Sequence, residues 1–313
     1  MKNGFVLTIA WPETRCKQAG AWYDTPMMFL GFSKNHYYKV GHAAIVLIDA
    51  KNGACHYFDF GRYHAPVWHG RARSAVTDHD LKINTIAQIK NNKILNINEL
   101  ISELQLNAAC RGTGKIYTAY YPIDFEKSMK KAHFMQENNP WKYGPFVWHG
   151  TNCSRFVRTV AMAGIQNWWR KFRLFLPMTI SPTTYHNVYA LPNQQTMEAL
   201  RPLTLPTSDV DFIKRNLKST LPEPTRPEIL PNEAKWLAGE AGSWFFIQKE
   251  KGNYRIIRYS AQGIVECDSL FDIVNDKKLD LTKPYDFVHL SHCQRVNIEQ
   301  NGEKIVLENI LMT

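Results

Sequence analysis

Cys153 is the candidate nucleophile because the sequence places it in the first turn of a predicted amphipathic helix over 153–164. Apolar residues recur at helical spacing on the face that carries Cys153. Asn152 or Thr151 provides the N-cap, and Gly164 ends the helix. The helix dipole and free backbone N–H groups stabilise a thiolate at this position, and the thiolate is the nucleophile. A cysteine on an apolar helix face is also frequently a small buried hydrophobe, so catalysis requires a partner base.

His42 is the candidate general base. It follows Gly41 at the start of a β-type run, which places its imidazole at the open end of a sheet, where a helix N-terminus can meet it. The runs His42–Ile48 and Ala54–Phe60 flank a polar stretch that contains Asn52-Gly53. This pattern predicts an antiparallel hairpin.

The hairpin also supplies the group that would orient the imidazole. Only residues of matching parity share a face of a hairpin. An even-length loop, such as Asp49 to Asn52, places Asp59 opposite His42, whereas an odd-length loop places His56 there. Either side chain could hold the imidazole in a productive tautomer.

The cysteines and histidines do not predict a metal site. Six cysteines are scattered along the chain with no CxxC pair, which argues against a disulfide framework and against a structural zinc site. The histidines and the cysteine between residues 55 and 69 also lack paired zinc-ligand spacing. Reduced thiols are expected, with no metal and no organic cofactor.

The elements that must position these residues predict an α+β fold. The pattern predicts a short buried strand and then, after the hairpin, a helix, a strand and a second helix that Asp124 caps. These elements are, in order, Phe5–Ala10, Leu95–Leu106, Lys115–Tyr121 and Phe125–Gln136.

Proline content and short strand patterns divide the chain. Much of the proline lies between residues 181 and 231, so residues 208–231 are predicted as a linker. Residues 1–207 would form the first domain. Residues 232–313 carry short strand patterns separated by turns such as Asn301-Gly302, and they predict a small antiparallel β domain.

The charge is strongly asymmetric along the 313 residues. The net charge is +10, yet residues 209–313 carry 14 basic and 16 acidic side chains, so the basic excess belongs to residues 1–208. Residues 111–173 hold 11 basic and 3 acidic side chains. Such a field favours an anionic substrate, an acidic partner or a phosphate-bearing surface, and a solvated basic face is the alternative.

The hydropathy pattern bears on location and partners. No run of about 18 consecutive apolar residues appears, and the stretch before Pro12 is too short for a secretory signal. A cytoplasmic protein is expected, with export by another route left open. The run 168–173 suits peripheral contact with an anionic membrane surface. Some aromatic residues, such as Trp148, lie near basic residues in the sequence. Such aromatic residues more often line a core or an apolar substrate groove than bind nucleic acid, so no nucleic acid partner is expected.

The His and Cys motifs together resemble a known superfamily. Gly41-His42-Ala43-Ala44-Ile45-Val46, followed much later by Asn152-Cys153-Ser154-Arg155-Phe156-Val157, resembles the circularly permuted NlpC-type papain-like superfamily that includes the lecithin retinol acyltransferase group. The resemblance covers roughly residues 1–190 and rests on these two short motifs.

The resemblance implies a role for each site residue. It implies a thiolate nucleophile at Cys153, a general base at His42 and a third polar group on the next strand, for which Asp59 aligns best and His56 is the runner-up. A tyrosine upstream of the nucleophile points to Tyr143, which, with Trp148 and His149, makes up the expected substrate-binding set.

The function expected from this pattern is a cysteine hydrolase, an amidase or peptidase that acts through a thioester. The partner would be a peptide or acyl-bearing substrate, and the resemblance makes a cell-wall-type peptide the leading choice. A non-catalytic binding module and a lipid acyltransferase that uses the same groove are the alternatives.

Overall fold

Most of the chain's strands pair into two antiparallel sheets of seven strands each, one before residue 200 and one after residue 230. The computed structural model describes residues 2–18, 20–176, 182–201, 222–239 and 241–310. The α+β class and the antiparallel sheets expected from the sequence are therefore confirmed.

Strands and helices follow one another along the chain without a regular alternation. The strands of the first part are β1 (Gly4–Trp11), β2 (Cys16–Lys17), β3 (Ser33–Lys34), β4 (Tyr37–Tyr38), β5 (His42–Asp49), β6 (Cys55–Gly61), β7 (His69–Arg73), β8 (Ile89–Lys90), β9 (Lys93–Ile94), β10 (Ile116–Ile123), β11 (Trp141–Lys142) and β12 (Gln194–Met197). The helices are α1 (Asp24–Phe29), α2 (Ile97–Leu106), α3 (Phe125–Glu137), α4 (Cys153–Gly164), α5 (Trp168–Phe175) and α6 (Thr184–Tyr189). The strands of the second part are β13 (Lys235–Leu237), β14 (Ser243–Glu250), β15 (Asn253–Tyr259), β16 (Val265–Ile273), β17 (Asp286–Val288), β18 (Arg295–Gln300) and β19 (Glu303–Asn309).

The first sheet has the order β11-β7-β6-β5-β1-β10-β12 and is covered on both faces. Helices α3, α4 and α6 contribute to the core on one face, whereas α2 packs on the other. Strands β1 and β5 lie inside this stack and are buried along nearly their whole length. This explains why their sequences are continuous apolar runs without polar alternation.

Helix α4 begins and ends where the sequence predicts. The Asn152 side chain accepts a hydrogen bond from the Arg155 backbone N–H, so Asn152 is the N-cap. Helix α3 is capped in the same way by Asp124, which accepts from the Lys127 N–H. Both predicted helices are confirmed, and they pack against each other beside the first sheet.

The β5–β6 hairpin differs in register from the prediction. Its loop is even in length, so Asp59 lies on the same face as His42, and His56 lies on the opposite face. Asp59 pairs with Ala44, however, so the expected position opposite His42 is wrong by two residues. The reason lies at the tip, where Asp49 and Ala54 still form a backbone hydrogen bond and the turn therefore starts one residue later than expected.

The second sheet has the order β13-β14-β15-β16-β19-β18-β17. Its edge strands β13 and β17 approach each other, so the sheet is nearly closed into a barrel-like form. Residues 208–221 of the predicted linker lie outside the described residues, and the domain boundaries stay a prediction. Among the described residues, no helix is both long enough and apolar enough to span a bilayer.

Candidate functional site

Cys153 lies in the first turn of α4, beside the first residues of β5. Its side chain is buried, with 8% of the residue exposed. The His42 imidazole, the Ala43 backbone and Ser154 lie close enough to the sulfur to lower the pKa of its thiol, and the Ser154 hydroxyl oxygen is 3.9 Å from it. The predicted nucleophile and the predicted base therefore come together, although 111 residues separate them in the sequence.

His42 is fixed by aromatic neighbours on two sides. The Trp11 ring stacks on the imidazole at 5.9 Å between centroids, and Tyr63 meets it edge-on at 6.3 Å. Trp11 is the residue opposite His42 in the β1–β5 pair, so the sheet register itself sets the stacking. The imidazole is thus held in one plane.

Asp59 lies behind the imidazole. Its Oδ2 is 3.4 Å from His42 Nε2, which is a long contact for a hydrogen bond. Since Asp59 is displaced by two residues along the hairpin, it reaches His42 diagonally across the sheet face. The structure brings Cys153, His42 and Asp59 together in that order.

Arg73 forms a fourth member of this group. Its Nε and one terminal nitrogen donate to the two Asp59 oxygens at 2.9 and 2.6 Å, in a buried bidentate pair. The guanidinium also lies over the Tyr63 ring, 3.6 Å from its centroid, and Tyr57 donates to Asp59 at 3.2 Å. Asp59 is therefore fully buried, but both of its carboxylate oxygens accept hydrogen bonds from Arg73 or Tyr57.

The pKa shifts of Cys153 and His42 favour a thiolate beside an imidazolium. Burial opposes the charged form of His42, but the neighbouring Asp59 carboxylate and Cys153 sulfur raise the pKa of His42 to about 9. Burial likewise opposes the thiolate, yet the neighbouring His42 imidazole lowers the pKa of Cys153. The pKa of Asp59 is lowered against burial by Arg73 and His42, so it remains a carboxylate. Such a pair can act as nucleophile and acid in one site.

His56 lies away from this group. It faces the α3 side of the sheet, with its ring 5.8 Å from Phe125, because its parity in β6 is opposite to that of Asp59. Burial lowers its pKa. Of the two candidates for orienting His42, the structure brings only Asp59 to it.

Tyr143 lies beside the nucleophile. Its ring stacks on Phe60 at 6.1 Å, and the Arg62 guanidinium lies 5.3 Å from its centroid. Burial and the neighbouring Cys153 and Cys16 thiols raise its pKa well above the usual value. The structure therefore places Tyr143 beside the nucleophile, and its substrate-binding role stays a prediction.

Trp148 and His149 lie in the loop before α4. Arg155 holds this loop by donating to backbone carbonyls, among them that of Gly150 at 2.6 Å. Trp148 is 84% exposed, and its described ring contact is with His149 at 5.3 Å. The structure therefore places both residues at the surface, and their substrate role stays a prediction.

Three residues of the site, Arg73, Trp11 and Tyr63, were not predicted from the sequence. The Arg71-Ala72-Arg73 run alternates basic and small residues, which is a signal that both guanidinium groups lie on one face of a strand. Nothing local in the sequence, however, indicates that Arg73 pairs with Asp59.

Comparisons with known proteins cover both parts of the chain. Residues 6–169 match the family described as type VI secretion system effector TseH-like. Residues 234–310 match the DUF6695 C-terminal domain. The chain is similar to the crystal structure of the type VI secretion system effector TseH, with 15% identity over 63% of this chain and 94% of that chain, at a TM-score of 0.42. No curated protein matches it.

Proposed function

The chain belongs to the TseH-like family of type VI secretion system effectors, and from this premise we propose that it is a cysteine hydrolase that cleaves an amide bond in a cell-wall-type peptide. The observation that carries the proposal is the order of three neighbouring side chains: Cys153 lies beside His42, and His42 Nε2 lies 3.4 Å from Asp59 Oδ2. A structural cysteine has no need of a base, an orienting carboxylate or a lowered pKa.

Acylation starts from the thiolate–imidazolium pair. The Cys153 thiolate attacks the substrate carbonyl carbon, so a C–S bond forms and the carbonyl π electrons move to oxygen. As the tetrahedral intermediate collapses, the C–N bond breaks and the His42 imidazolium gives its proton to the leaving amine. A thioester and a neutral imidazole remain.

Deacylation restores the pair. Neutral His42 takes a proton from a water molecule, whose oxygen attacks the thioester carbonyl. The C–S bond then breaks, which releases the acid product and leaves Cys153 as thiolate and His42 as imidazolium. Asp59 stabilises the imidazolium and holds its ring, while Arg73 fixes Asp59 as a positioning residue.

The start of α4 would stabilise the oxyanion. The Arg155 N–H is used by the Asn152 side chain and the Phe156 N–H by the Asn152 carbonyl. The N–H groups of Cys153 and Ser154 precede them and have no partner within the helix by its geometry. We assign these two donors to the developing negative charge.

The fold and the delivery route belong to the same proposal. The strands that carry His42 and Asp59 precede the helix that carries Cys153, which is the chain order of a permuted papain-like domain over 1–207. Export by a type VI secretion system would replace the cytoplasmic location that the hydropathy pattern suggests, and it would bring the protein to a cell-wall peptide.

The test is hydrolysis of purified bacterial cell-wall fragments by the full chain. New amino groups and product masses are followed for the wild type, Cys153→Ala, His42→Ala and the control Cys55→Ser. We expect cleavage by the wild type and the control, and a loss of about 10⁴-fold or more in the two site variants. If the wild type binds the fragments but releases no product, the chain is a binding module; transfer of an acyl group to a lipid acceptor would favour the acyltransferase alternative.

A further inference from the structure

We propose a zinc site that nothing in the proposed hydrolase requires, formed by His79, Cys267 and Cys293. The ligand atoms of these three residues all lie within 4.8 Å of one another. Zinc bonds to sulfur at about 2.3 Å and to imidazole nitrogen at about 2.0–2.1 Å, so tetrahedral ligand atoms are separated by roughly 3.5–4 Å. Small side-chain shifts would therefore close the site.

The three ligands come from both parts of the chain. His79 begins a 3-10 turn, His79–Leu81, that follows β7, whereas Cys267 is on β16 and Cys293 lies just before β18. The Cys293 backbone N–H donates to the Thr77 carbonyl at 3.1 Å, which ties the two parts together beside the site. A bound zinc ion would link the two parts of the chain through metal coordination.

The chemistry of these groups fits zinc. Cys267 and Cys293 are almost fully buried, with 5% and 1% exposed, and their sulfur atoms lie within 4.8 Å of each other. His79 Nε2 is buried and has no hydrogen-bond partner among the described residues. An unpaired buried nitrogen costs free energy that coordination would recover. Two thiolates and an imidazole are a ligand set that zinc takes, with a water in the fourth position.

A nearby cation does not exclude the ion. Arg258 lies close to both cysteines, but its guanidinium is paired with Asp78 at 3.1 Å and with Glu266 at 3.0 Å. Its charge is therefore already balanced by carboxylates, and two thiolates would balance the two charges of zinc. The proposal departs from the sequence expectation of no metal, because its ligands are brought together only by the fold.

The first measurement is zinc content in the full chain without an affinity tag. Cys153→Ala serves as the parent protein, since it removes the active-site thiol as a competing ligand. The protein is stripped with chelator, loaded with Zn²⁺, passed through gel filtration and analysed by elemental mass spectrometry. We expect about one zinc ion per chain in the parent and in Cys55→Ser, and a loss of about tenfold or more in Cys267→Ser, Cys293→Ser and His79→Ala.

The second measurement does not depend on the variants folding. Co²⁺ added to the stripped parent should give thiolate-to-cobalt charge-transfer absorption, and Zn²⁺ should remove it. Zn²⁺ should also protect Cys267 and Cys293, but not Cys55, from alkylation mapped by peptide mass spectrometry. Zinc-free protein after loading, a cobalt spectrum without thiolate bands, or a Cys267–Cys293 disulfide in freshly purified protein would each overturn the proposal.

Discussion

The interaction between Cys153 and His42 determines how the site responds to pH. Hydrolysis needs a thiolate and an imidazolium at once, so the rate rises as Cys153 loses its proton and falls as His42 loses its own. The two groups interact strongly, so the observed pKa values belong to the pair. Because the pKa of His42 is raised from 6.5 to about 9, its contribution to stability is complete below about pH 6.5 and is lost as the pH rises through about 9.

The first prediction separates the acidic and alkaline limbs of the pH–rate profile. We expect kcat/KM to fall above about pH 9, where His42 becomes neutral, whereas alkylation of Cys153 by iodoacetamide persists there because the thiolate remains. At mildly acidic pH, Cys153 should be labelled ahead of the other five cysteines, as peptide mass spectrometry would report. In His42→Gln, acidic labelling should be lost. Equal labelling of all six cysteines in the wild type would contradict an activated thiolate.

The second prediction concerns the carboxylate behind His42. Asp59→Asn should lower kcat by about 10²-fold and move the alkaline limb to lower pH, because the imidazolium loses its neighbouring charge. It should also destabilise the fold, since the buried Arg73 guanidinium loses the carboxylate that balances its charge.

The control for Asp59→Asn is Asp268→Asn, which removes a partly exposed carboxylate paired with Arg255. This variant should keep both kcat and the pH profile. Stability alone cannot move the alkaline limb, so an unchanged limb in folded Asp59→Asn would rule out the orienting role.

At the scale of elements, the start of β5 depends on Gly41. Its φ of +77° is a backbone conformation that residues with a side chain rarely adopt. A Cβ at Gly41 would come within 2.7 Å of Thr184 Oγ1 and 2.8 Å of the Trp11 carbonyl. The backbone of Pro12 is equally close, with its Cα 2.9 Å from such a Cβ, and His42 is the next residue.

The third prediction follows from this crowding. Gly41→Ala should displace His42 and lower kcat/KM by about tenfold or more, since a misplacement of about 1 Å can cost 10²-fold. Gly302→Ala is the matched control, because its φ is +75° and no atom lies within 4 Å of the added Cβ. Both variants should lose stability, measured by thermal unfolding, but only Gly41→Ala should lose activity. Equal activities would show that Gly41 does not position the base.

Local pattern was enough to predict the elements that carry the site. The cap at Asn152 and the period of the apolar residues give the bounds of α4, and the parity of the hairpin puts Asp59 on the face of His42. The register could not be predicted, because it depends on which of two adjacent positions starts the turn, and Asn52-Gly53 fits either. Arg73 was missed because a strand pairing, not a local motif, brings it to Asp59.

At the scale of the whole molecule, a buried ion-pair network joins the two sheets. Arg71 donates to both oxygens of Asp78 at 2.7 Å, and Arg258 on β15 reaches the same carboxylate at 3.1 Å. Asp78 and Arg258 are 180 residues apart, so no sequence pattern could indicate the contact. Buried charges of this kind are costly when they lose a partner, and they therefore couple the two parts during unfolding.

The last prediction tests that coupling with two arginines of one strand. Arg258→Met should lower the free energy of unfolding by about 3 kcal/mol, because Glu266 loses this partner and Asp78 keeps Arg71 alone as a charged hydrogen-bond partner. Arg255→Met removes a partly exposed pair with Asp268, which water and salt screen, so its denaturation midpoint should hardly change. Urea unfolding is followed by tryptophan fluorescence in chelator-treated buffer, so that a bound ion does not contribute. A single transition in the wild type that splits into two in Arg258→Met would show that the network makes the sheets unfold together, whereas two transitions already in the wild type would show that they unfold independently.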